Sequence, residues 1–96
     1  MVTRLYESEE KELYKNRSLE TLLEADSKTG SLYVDTLRSY FDNNQSVSQT
    51  ASALFVHRNT INYRLNKIRS LLEDDFDDSL IRLHLQIAIM AYDMYG

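Results

Sequence analysis

Asn59, Asn62 and Asn66 recur at helical spacing in a stretch that also holds Arg58, Thr60, Tyr63, Lys67 and Arg69. Placed on a helix at 100° per residue, Ile61, Leu65, Ile68 and Leu72 share one narrow arc. The opposite arc collects Asn59, Tyr63, Asn66 and Ser70, with Asn62 and Lys67 at its sides and Arg58 and Arg69 flanking the apolar stripe. Asparagine is a mediocre helix former, so three on one outward side point to a task other than helix stability. A carboxamide pairs bidentately with adenine, and a guanidinium with O6 and N7 of guanine. Hydroxyl and ammonium groups beside them hold phosphates. The plainer reading is a solvated helix face without a partner.

Other chemistry finds little material. There is no cysteine, which removes disulfides, thiol catalysis and thiolate metal sites. There is no proline, and Gly30 and Gly96 are the two glycines, so a glycine-rich phosphate loop is excluded. Scattered serines and two histidines, His57 and His84, form no nucleophile–base signature, and no catalytic residue is expected. His84 has no cysteine, histidine or acid four residues away and reads as a surface or interface histidine; neither metal nor cofactor is expected. The acidic tract Glu73 to Asp78 reads as solvated loop plus helix cap. A calcium loop fails there, because Leu80 stands where the tight-turn glycine belongs and no glutamate closes the loop.

Charge is distributed unevenly. The 96 residues carry a formal net charge of −4, which taken whole disfavours a nucleic-acid partner. Yet Asn43 to Leu72 contains no acid and four bases, Arg58, Arg64, Lys67 and Arg69, while the rest of the chain holds seven bases against fifteen acids. That contrast describes an electropositive surface suited to a polyanion, with acidic flanks pointing elsewhere. No run approaches 18 apolar residues and no basic-then-apolar leader opens the chain, so a soluble cytoplasmic protein without a membrane partner is expected.

The elements that position these residues all read as helices, about five in one compact all-α domain. Ser8 with Glu9, Glu10 and Glu12 resembles a capped, acidic helix start; residues 1–18 form a helical extension and 19–96 the domain proper. Leu19, Leu22 and Leu23 make a short apolar stripe, and Asp26 to Gly30 a polar turn. A helix from about Ser31 to Asp42 turns Tyr33, Leu37, Tyr40 and Phe41 to the core, and Asn43 to Gln45 end it. Ser46 and Gln49 form a capping box for a short helix with Val47, Ala51 and Leu54 inward. Phe55 to His57 is a turn, without the glycine many such turns carry, and a longer helix spans 58–72. The last helix, about Ser79 to Tyr95, shows two apolar stripes: Leu83, Ile87, Met90, Met94, and Ile81, Leu85, Ala88, Tyr92. Such a helix is either central in the core or shared with a second molecule. Short helix, three-residue turn and longer helix is the helix-turn-helix arrangement, whose second helix enters the major groove.

The run A-x-x-L-F-V-H-R-N-T-I-N-Y-R-L, Ala51 to Leu65, resembles the C-terminal helix-turn-helix domain of the PucR/CdaR family of bacterial transcription regulators. Val56, His57, Arg58, Asn59, Thr60, Tyr63, Arg64 and Leu65 match that family's core string, and Ile61 replaces a valine. The segment from Leu22 to Asn44 is similar to the preceding pattern, with Ala25 where an aromatic is usual. The tail from Asp75 to Ile89 is similar too, with Phe76 for leucine and Ser79 for proline. The likeness extends from about Leu19 to Met90.

The resemblance implies sequence-specific binding of double-stranded DNA by one domain of a longer regulator, whose small-molecule effector would be sensed by domains outside this chain. Carried over, it implies base or groove contact for Arg58, Asn59, Asn62, Tyr63 and Asn66. It implies phosphate contact for Gln49, Thr50, His57, Thr60, Arg64, Lys67 and Arg69. His57 either caps the recognition helix or touches phosphate; Thr60 either contacts phosphate or serves the helix start; Arg64 phases near the core edge, where an acid from another helix is an alternative partner. A homodimer is expected, through the C-terminal helix or through the missing domains. The competing class is a helical protein–protein interaction module that binds no DNA.

Overall fold

The computed structural model describes residues 15–95. The described residues form five helices and no strand: α1 Arg17–Thr29, α2 Tyr33–Asp42, α3 Val47–Leu54, α4 Arg58–Leu71 and α5 Ser79–Tyr95. The helix start expected at Ser8 lies outside the described residues.

Asn16 caps α1, its side chain accepting from the Leu19 amide at 2.9 Å. The polar segment from Asp26 is not the turn that its composition suggests. α1 continues to Thr29, and Gly30, at φ 69°, closes it by donating to the Asp26 carbonyl. Asp26 instead serves the next helix. Its Oδ1 accepts from the Tyr33 amide at 2.9 Å and its Oδ2 from the Val34 amide at 3.1 Å. A carboxylate from one helix thus satisfies the open amides of the next and fixes the angle between them.

α2 ends in a Schellman turn. Asn44 (φ 56°) donates to Phe41 and Gln45 (φ 61°) to Tyr40. α5 starts on Asp78, whose Oδ1 accepts from the amides of Leu80 and Ile81 at 2.8 and 3.2 Å. This is the capping role expected of the acidic tract.

The core is one cluster drawn from all five helices: Leu19 and Leu22, Val34, Leu37, Tyr40 and Phe41, Ala51, then Ile61, Leu65 and Ile68, and finally Leu85, Ala88 and Ile89. Burying each large aliphatic contributes roughly 1.5–3 kcal/mol. Phe76, from the middle of the acidic loop, is buried among them. Arg82 lies over its ring, 4.5 Å from the centroid, and donates to its carbonyl at 2.8 Å. Among the described residues no buried side-chain nitrogen or oxygen lacks a partner. The two stripes of α5 part company: Leu85 and Ala88 are buried and Ile81 half-buried, whereas Leu83, Ile87, Met90 and Met94 are exposed. Tyr92, expected with Leu85 and Ala88, is exposed as well, because the last turn of α5 extends past the core.

Candidate nucleic-acid interface

The site is built from α3, the turn 55–57 and α4. Ser46 caps α3, its hydroxyl accepting from the Gln49 amide at 3.2 Å. Only this half of the expected capping box forms. The Ser46 amide goes to the Asn43 carbonyl, and the Gln49 side chain stays exposed.

The turn is a second Schellman closure. Phe55 donates to Ser52 and Val56 to Ala51. Phe55 therefore occupies the left-handed region, φ 58° and ψ 41°, where glycine is the usual choice. Its ring is 95% exposed, while Val56 packs against the core. His57 then caps α4, its Nδ1 accepting from the Asn59 amide at 3.0 Å. Acceptance at Nδ1 puts the ring proton on Nε2, which remains a donor on an exposed side chain.

α4 is held by Ile61, Leu65 and Ile68, each no more than 2% exposed, with Leu72 buried just past its end. This seam fixes the rotation of the helix and turns the opposite strip outward. Arg58, Asn59, Asn62, Tyr63, Asn66 and Lys67 are all exposed. The side chains of Arg58, Asn59 and Asn62 have no partner among the described residues. Lys67 lies over the Tyr63 ring, 5.8 Å from its centroid, which holds a cation and an aromatic edge together on the outward face. Asn66 is partly engaged, because its Oδ1 accepts from Arg69 at 2.7 Å; its amide hydrogens stay available.

Of the expected phosphate contacts, Thr50 and Arg69 are engaged within the fold, and Arg64 and Thr60 are half-buried. Thr50 is fully buried and donates its hydroxyl to the Ser46 carbonyl at 2.7 Å, so it cannot reach a phosphate; its helical phase on α3 turns it inward beside Ala51. Arg69 is turned to the acidic loop. Its Nε reaches both carboxylate oxygens of Asp77, at 3.1 and 3.0 Å, so its charge is paired within the fold with a carboxylate that Arg82 shares. Arg64 is half-buried and donates to the Thr36 hydroxyl at 3.2 Å, which anchors it at the seam between α4 and α2. That partner on another helix is a hydroxyl rather than an acid. Thr60 is half-buried, with its amide donating to the His57 carbonyl at 2.9 Å.

Two features went unread in the sequence. The clamp on Arg69 comes from Asp77, eight residues away and beyond the end of α4, so no spacing within the helix signals it. The exposed Phe55 carried one signal, a bulky residue where such turns favour glycine.

A short helix, a closed turn and a second helix with a bare polar strip define the helix-turn-helix class of DNA-binding domain. Residues 33–91 match the PucR C-terminal helix-turn-helix domain, and the chain belongs to that family. It is 32% identical over 77 residues to the proline-responsive transcriptional activator PutR of Bacillus subtilis (strain 168), covering 80% of this chain and 19% of that one. It is 35% identical over 86 residues to the purine catabolism regulatory protein of the same organism, covering 90% and 16%. Over 49 residues it is 47% identical to the carbohydrate diacid regulator of Escherichia coli (strain K12), covering 48% and 13%. The chain thus spans less than a fifth of the length of these relatives. No solved structure matches it. Among the described residues no helix is long and apolar enough to cross a membrane.

Proposed function

We propose that this domain reads duplex DNA by laying α4 in the major groove. Arg58, Asn59, Asn62, Tyr63 and the free amide of Asn66 face the base edges. Gln49, His57, Thr60, Arg64 and Lys67 hold the flanking phosphates. The observation that carries the reading is the strip from Arg58 to Lys67. It is exposed and acid-free, Arg58, Asn59 and Asn62 lack partners among the described residues, and the opposite face of the same helix is locked in the core. Carboxamides and guanidinium groups left without internal partners on a rigid helix are preorganised for groove contacts.

The reading assigns the domain no catalytic step. It places the chain in the cytoplasm as the DNA-binding portion of a longer regulator, with residues 19–96 as the domain and the preceding residues as its extension. The small-molecule signal is sensed by parts of the regulator outside this chain. One recognition helix covers one half-site, so specific binding engages a second copy.

Duplexes selected from a random pool, titrated against salt, test the proposal. Affinity falls steeply with salt, each phosphate contact adding about −0.9 to the log–log slope. Binding of no duplex, or a flat salt response, refutes it in favour of a protein-interaction module.

A further inference from the structure

We infer that the outer face of α5 is a self-complementary seam that pairs with the same face of a second copy of this chain. The proposal deepens the DNA reading, which requires two copies on one site, but its test uses no DNA, so either can fail alone.

Leu80, Leu83, Ile87, Met90 and Met94 are spaced 3, 4, 3 and 4 residues apart. That is the 3.5-residue rhythm of a helix–helix seam, not the broader arc of a helix lying on its own core. These residues are 56%, 50%, 37%, 58% and 73% exposed. The core contact of α5 is made by other residues, Leu85, Ala88 and Ile89, which face α1 and α2. The seam is therefore surplus to the fold. A groove of about 160 Å³ lined by Ile87, Met90, Ala91, Met94 and Tyr95 offers the kind of hole that a facing side chain fills.

The charge around the seam suits a second copy as the occupant. The seam holds no charged residue, and the positions beside it are His84, Gln86, Ala91 and Asp93. Asp93 is paired within its own chain with Arg38, whose Nε and Nη2 donate to its two oxygens at 2.8 and 2.7 Å while Nη1 holds Asp35. Two copies of an acidic chain can meet here without bringing like charges together, and the flanks offer no free charge to favour a charged partner. Two such faces remove on the order of 1,000 Å² from water, the size of a weak, concentration-dependent interface.

Sedimentation of the chain over a concentration series, without DNA, is the test. The wild-type chain reaches twice the monomer mass. Met90→Lys with Met94→Lys, both at exposed positions, keeps the helical circular dichroism and raises the dimer dissociation constant about tenfold or more. The chain contains no cysteine, so Ile87→Cys adds a single thiol; oxidation links it to its counterpart, whereas Ser70→Cys on α4 associates like wild type but forms no covalent dimer. A wild-type chain that remains a monomer throughout, a double lysine variant that associates like wild type, or an Ile87→Cys chain that fails to cross-link overturns the proposal.

Discussion

Asp77 holds Arg69 by offering both carboxylate oxygens to its Nε, at 3.1 and 3.0 Å. The same carboxylate accepts from Nη2 of Arg82 at 3.0 Å, and both guanidinium groups lie near the ring of Phe76. One acid thus ties the end of the recognition helix to the start of α5. It also partly offsets one of the four cations of the acid-free segment; on the proposed reading Arg58 is left to meet base edges and Arg64 and Lys67 to meet phosphates.

Asp77→Ala tests that division of labour. The Arg69–Asp77 pair is half-exposed and worth at most about 1 kcal/mol. Arg82 keeps the Phe76 carbonyl and Gln45 as partners. Stability therefore drops by roughly 1 kcal/mol in a urea melt. Freed from its clamp, Arg69 becomes available to the duplex, and the log–log salt slope steepens by up to about 0.9. An unchanged slope would place Arg69 away from the DNA.

On the proposed reading, Asn62 and Lys67 divide base reading from phosphate holding. Asn62 is exposed and unpartnered on the outward strip, and Lys67 sits beside it over Tyr63. Asn62→Ala costs roughly 1–3 kcal/mol on the selected duplex and little on random duplex. Lys67→Ala weakens both equally and flattens the salt slope by about 0.9. Competition binding on the two duplexes reads both outcomes, and identical behaviour of the two variants contradicts the assignment.

The helical architecture and the rotation of α4 were legible because they follow from local rules: apolar spacing puts Ile61, Leu65 and Ile68 inward, and side-chain caps mark where helices start. What stayed hidden depends on contacts between segments far apart in sequence. Asp26 looks like a turn residue by composition, yet it lies inside α1 and caps α2, because Gly30 can close the helix four residues later. Thr50 looks polar and available, yet its place on α3 buries it. Hydropathy does not pick the core stripe of α5, because the exposed one is at least as apolar, and the neighbours α1 and α2 decide which is buried. Phe76 is a lone aromatic in an acidic run, and its burial depends on Arg82 covering its ring.

Phe55 gives the sharpest test of the turn. A non-glycine side chain at φ 58° carries a steric penalty of about 1–2 kcal/mol, partly offset by the entropy that a glycine loses on folding. The ring is 95% exposed, so the folded chain gains almost no burial from it. Phe55→Gly therefore raises stability by up to about 1 kcal/mol, with Val56 still seated in the core and His57 still capping α4. Phe55→Val moves the other way, because a β-branched residue is strained further in the left-handed region, and it loses about 1 kcal/mol or more. Thermal melts of the two variants against wild type measure the difference. If glycine destabilises the chain instead, the ring stabilises the native state through a contact this geometry does not contain.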